Sequence, residues 1–120
     1  MLRILGGLPA NVLGVEATGT VTDADYEGVL VPEVKRKREA HERIRFVYVF
    51  REDFAGWTTG AVWQDAKLGL KDPTAWEKIA VVTDEDWLRH TVEAFGWMVP
   101  GDVRCFELDE LRQAEEWAAS

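Results

Sequence analysis

Cysteine is nearly absent from this chain: Cys105 stands alone, so no internal disulfide can form and packing has to hold the fold. That usage fits a reducing compartment, and the cytoplasm is the expected location. Val103 and Phe106 beside it place Cys105 on a buried strand, away from an activated thiolate. Histidine is as scarce. His41 and His90 are the only two, and with one cysteine and scattered carboxylates they do not complete a ligand set, so no metal and no other cofactor is expected. No segment approaches the roughly 20 apolar residues of a membrane span, and Met1 to Gly7 lacks the apolar stretch of a signal peptide. Integral membrane association is therefore not expected. Positive charge is also short: 14 Lys and Arg against 22 Asp and Glu leave a net charge of −8, which repels phosphate backbones and excludes nucleic acid as the expected partner. The basic run Lys35-Arg36-Lys37-Arg38 reads as a solvated helix face.

What is present suits one globular domain. The 120 residues are 47% hydrophobic and 30% charged, enough to bury a single core. Leu2 to Leu5, closed by Gly6-Gly7 and Pro9, and the Val- and Thr-rich Val12 to Val21 read as adjacent strands. Thr22 with Asp25 three residues on forms an N-cap signature for a helix from Asp23 to Ala40, whose stripe is Tyr26, Val29, Leu30 and Val34; Pro32 predicts a kink or a break. Ile44 to Phe50 is a near-continuous apolar run, predicting an interior strand covered on both faces. Ala61 to Leu70, with Trp63, Ala66 and Leu70 at helical spacing, is the second helix, and Asp72-Pro73 starts one more turn over Thr74 to Lys78. Ile79 to Val82 is a short strand, and Thr83-Asp84-Glu85-Asp86 caps a helix with Leu88, Val92 and Phe95 on its stripe. Val103 to Leu108 is the fifth strand, and Asp109 caps a last helix with Leu111, Ala114, Trp117 and Ala118. The order β-β-α-β-α-β-α-β-α predicts a five-stranded mixed, mostly parallel sheet flanked by about four helices, with the first strand antiparallel at an edge.

That order, together with Asn11-Val12-Leu13, Thr22-Asp23-Ala24-Asp25-Tyr26, Asp53-Phe54-Ala55-Gly56-Trp57, Trp63-Gln64-Asp65-Ala66-Lys67, Ile79 to Asp84 with Trp87, and Phe95-Gly96 before Pro100-Gly101, resembles the anti-sigma-factor antagonist (STAS) superfamily. Within it the chain is similar to the SpoIIAA-like, or STAS/SEC14-like, branch over nearly its whole length. The resemblance implies a small non-enzymatic domain. It also implies a phosphorylated serine, within Asp-Ser-Ser-Gly, at the start of the second helix. The comparable stretch here is Gly56-Trp57-Thr58-Thr59-Gly60, which keeps hydroxyls and a glycine but lacks the aspartate and both serines, leaving Thr58 and Thr59 as candidate phosphoacceptors.

The residues themselves name no catalytic centre. Asp86 and His90 share a helix face at i,i+4, a spacing that suits helix stabilisation as well as a base and its orienter. Glu52-Asp53 and Asp84-Glu85-Asp86 follow parallel strands, where α/β proteins place ligands, but caps account for most of them. An enzyme using these carboxylates and His90 is the alternative reading. The unusual feature is aromatic: five of six tryptophans, Trp57, Trp63, Trp76, Trp87 and Trp97, fall between the third and fifth strands. Trp63 lies on its helix stripe and reads as packing. Phe54, Trp57, Trp87, Phe95 and Trp97 are the candidate binding residues, with Trp57 and Trp97 bordering a pocket or a homodimer interface and the others behind. The expected function is a cytoplasmic binding or regulatory module that recognises a protein partner or an apolar small molecule such as a lipid.

Overall fold

The computed structural model describes residues 1–120. The elements run β1 (Leu2–Leu5), β2 (Val12–Ala17), β3 (Thr20–Val21), α1 (Asp23–Asp25), a π-helical turn (Tyr26–Leu30), α2 (Val31–Ala40), β4 (Ile44–Phe50), β5 (Gly56–Trp57) and α3 (Thr59–Lys71). A 3-10 turn (Pro73–Ala75), β6 (Trp76–Val82), α4 (Asp86–Phe95), β7 (Asp102–Phe106) and α5 (Leu111–Ala119) complete the chain. Five strands form one sheet in the order β1-β2-β4-β6-β7, with β1 antiparallel to β2 and every other neighbour parallel. The expected mixed sheet is therefore present, with β4 in the middle and β1 at an edge.

Strand alternation splits the core into two layers. Ile44, Phe46, Tyr48 and Phe50 of β4 share a layer with Leu30 of the π turn, Val34 of α2, Ala61 of α3 and Leu88 of α4. Val47 and Val49 face the opposite way with Val12, Ala80, Val82 and Phe106, against Ala114 and Ala118 of α5. The two alanines let α5 lie close to the sheet. Gly14 serves the same layer, because a Cβ there would stand 2.6 Å from Leu8 Cδ1, the side chain that covers β2. One helix thus closes one face, and three helical segments cover the other.

Several boundaries depart from the sequence expectation. The run Val12 to Val21 is two strands: Gly19 at φ +58° turns the chain after Ala17, and Thr20–Val21 pairs instead with Gly56–Trp57 in a separate two-stranded ladder. Pro32 does not end the helix. The chain widens just before it into a π turn, with the Val31 N–H bonded to the Tyr26 carbonyl, and Pro32 takes the first turn of α2, where a missing N–H is tolerated. The Asp72-Pro73 turn stops at Ala75, so β6 begins at Trp76 instead of Ile79. β7 ends at Phe106, and the cap beyond it is Glu107, reciprocated by Glu110, not Asp109. Thr22 and Asp25 do form the expected capping box.

Candidate functional site

The β4 face under α3 and α4 is aromatic. Phe46 and Tyr48 stack with centroids 5.1 Å apart, and Tyr48 and Phe50 at 4.3 Å, because alternate residues of a strand share a face. The series continues into Phe54, 4.8 Å from Phe50 edge-on, then to Trp57, 4.9 Å from Phe54, and to Trp87 on α4, 6.1 Å from Trp57 with its plane at 90°. Above this floor α3 and α4 stand apart and leave a cleft of about 420 Å³ whose 19 lining residues include 15 hydrophobic ones. The residues that α3 turns to it do not fill it. Asp65, Leu68 and Gly69 line the space, while the main packing of α3 is against α1, the π turn and β5. Gly60 permits that packing, since a Cβ there would lie 2.9 Å from Asp23.

A short polar chain enters this apolar space. The Tyr26 hydroxyl donates to Asp65 Oδ1 at 2.7 Å and lies 3.0 Å from the Tyr48 hydroxyl. Tyr26 is wholly buried, whereas Asp65 is solvent-exposed on α3 at the edge of the cleft. Desolvation by the surrounding protein pushes the Asp65 carboxyl above the ordinary carboxylate range, and the bond from Tyr26 only partly opposes it. Burial, with Asp65 nearby, also raises the Tyr26 phenol, and burial carries the Tyr48 phenol up to about 12. Both tyrosines stay protonated through the physiological range. The Trp57 indole N–H is buried without a hydrogen-bond partner, an orphan donor at the cleft wall.

The sequence candidates divide. Trp57, Trp87 and Phe95 line the cleft, with Phe54 buried directly behind Trp57 and Trp87. Trp97 does not join them. It is 79% exposed and borders a second, more polar cavity of about 530 Å³ beside α4 and β7, with Arg89, Glu93, Arg104 and Glu107. Trp63 is also corrected: it is 67% exposed, as is Leu70, because α3 presents Ala61 inward and turns its bulky stripe outward. Thr58 caps α3, accepting from the Ala61 N–H at 3.2 Å, and Thr59 is exposed at the first helical position. Asp86 and His90 are exposed on α4, and neither lines the cleft or the polar cavity. Cys105 is half-buried on β7, where burial pushes its thiol up.

Sequence reasoning placed Tyr26 on a helix stripe and Tyr48 in a strand, and missed that both hydroxyls meet Asp65. A usable signal was present: Tyr26 on an apolar helix stripe and Tyr48 in an apolar strand need partners for their hydroxyls, and Asp65 is the acid one helical turn beyond Ala61.

A mixed sheet closed by one helix on one face, with an aromatic cleft held open under two helices on the other, defines the class: a small α/β domain whose sheet floors a ligand-sized recess. The sequence model of the SpoIIAA-like family matches residues 12–119, and the chain belongs to that family, whose domains are typically regulatory or binding modules. A protein of the DUF3478 family with a SpoIIAA-like fold, from Shewanella loihica PV-4, has a similar structure: TM-score 0.78 at 23% identity, covering 98% of this chain and 93% of that one. At that identity the likeness establishes the fold. No curated protein matches the chain. No helix is long and apolar enough to cross a membrane.

Proposed function

We propose that this domain is a binding module that takes an apolar small molecule into the cleft between α3 and α4. The observation that carries the reading is the recess of about 420 Å³ between α3 and α4, floored by the nearly buried β4 aromatics Phe46, Tyr48 and Phe50. Pockets of this size, mostly apolar with a few placed polar groups, are the usual form of small-molecule sites. A recess between helices also favours a small guest over the flat surface of a protein partner. The alternative enzyme reading has less support, because His90 and the acidic residues after β4 and β6 point to no common space with the cleft.

Native mass spectrometry of the purified full chain, followed by solvent extraction, tests for a retained guest. Titration with an apolar fluorescent dye tests the site directly. The dye is expected to bind and to bind more weakly to Trp87→Ala. No binding, or binding unchanged in both Trp57→Ala and Trp87→Ala, would overturn the proposal.

A further inference from the structure

Among the residues lining the apolar cleft, Asp65 is the only one that carries a charge, and no lysine, arginine or histidine faces it there. Its Oδ1 is occupied by the Tyr26 hydroxyl, and Oδ2 has no side-chain or backbone donor. The same cleft is lined by the rings of Tyr48, Trp57 and Phe50 on its floor and wall and of Trp87 on α4. A guest with a carboxylate or phosphate head would meet a like charge and no compensating cation. An alcohol would find one acceptor. An ammonium would find a carboxylate for its N–H donors and aromatic rings in the same cleft for its charge.

We infer that the guest is an apolar amine, its ammonium held by Asp65 and the surrounding aromatic rings and its hydrocarbon part lying on the β4 floor. This inference rests on the cleft being a small-molecule site and adds the sign of the guest's charge. The Tyr48–Tyr26–Asp65 chain is the positioning device. The Tyr26 hydroxyl fixes one carboxylate oxygen, so that the other is free for the guest. Asp65 is the one charged group on a cleft whose other lining is almost wholly hydrophobic, so it sets the sign of charge that the site favours.

The test compares octylamine, octanol and octanoic acid, which share a chain and differ in head group, against the full chain near neutral pH, read by calorimetry and tryptophan emission. Octylamine is expected to bind about tenfold tighter than octanol, with octanoic acid weakest. Asp65→Asn, close in shape, should bring octylamine to the level of octanol and leave octanol unchanged. Asp65→Leu, which has neither carboxylate nor amide, should weaken octylamine far more than octanol, which loses only its acceptor, with a cooperative denaturant melt reporting that the fold persists. Equal binding of amine and alcohol by the natural chain, tightest binding of octanoic acid, or an amine preference that survives in both variants would overturn the inference while leaving the cleft as an apolar site. Failure of all three probes to bind would overturn both.

Discussion

Trp76 and Trp87 carry the same side chain into opposite surroundings. Trp76 is 5% exposed and stacks on Phe46, whereas Trp87 is 49% exposed at the cleft. Trp76→Ala is expected to lose about 3–5 kcal/mol of stability in a denaturant melt. Trp87→Ala should lose no more than about 1 kcal/mol while weakening dye binding. Trp57 adds an orphaned N–H to its packing, so Trp57→Phe, which keeps a ring and removes the donor, should be nearly neutral in the same melt. Asp65 and Glu16 give opposite pH responses. Asp65 is held above the ordinary carboxylate range, so the folded state binds its proton more tightly than the unfolded state. Its contribution is complete below that range and is lost as pH rises through the elevated value. Burial would raise Glu16 as well, but hydrogen bonds and charge from Arg51 and Arg3 outweigh it, so its contribution is present above the ordinary range and lost as pH falls. Melts across pH should therefore show Asp65→Asn flattening the decline above the ordinary carboxylate range and Glu16→Gln flattening the acid-side loss.

At the scale of elements, close backbone approaches set the limits. Gly101 enters β7 so near to β6 that a Cβ would stand 2.2 Å from the Trp76 carbonyl oxygen, so Gly101→Ala should cost about 3 kcal/mol or more by thermal or denaturant melting. Thr22→Ala, which removes one half of a capping box, should cost about 1 kcal/mol. What the sequence disclosed follows the same division. β4 was legible because six of its seven residues are apolar or aromatic, Arg45 being the exception, and the order of strands and helices left few topologies to choose among. The stripe of α3 was not. Trp63, Ala66 and Leu70 have the spacing of a buried face, but the helix packs on α1 through Gly60 and Ala61, and tertiary contact overrode the periodicity. The break after Ala17 was hidden because Thr18 to Val21 reads as strand until Gly19 adopts positive φ. Phe54, Trp57 and Trp87 were gathered because they follow β4 and β6 at the same end of the sheet, whereas Phe95 lines the cleft from the far end of α4. Trp97 lies past the end of α4, where the turn carries it to the other side of the helix.

For the molecule as a whole, the asymmetry of the two faces governs order. The α5 face is closed with buried alanines, whereas α3 exposes Val62, Trp63 and Leu70 and shelters a recess. Hydrogen exchange is expected to be fastest among the long helices in α3 and slowest in β4, with α5 more protected than α3. Trp57 and Trp87, with centroids 6.1 Å apart and planes crossed at 90°, meet across the wall of the cleft. Two indoles at that separation share their excited states, so the pair should contribute an exciton couplet to the ultraviolet circular dichroism spectrum, absent from Trp57→Phe and Trp87→Ala alike. Its amplitude depends on the angle between the rings. The domain therefore carries its own optical goniometer, able to report a guest's arrival through the angle between two of its walls.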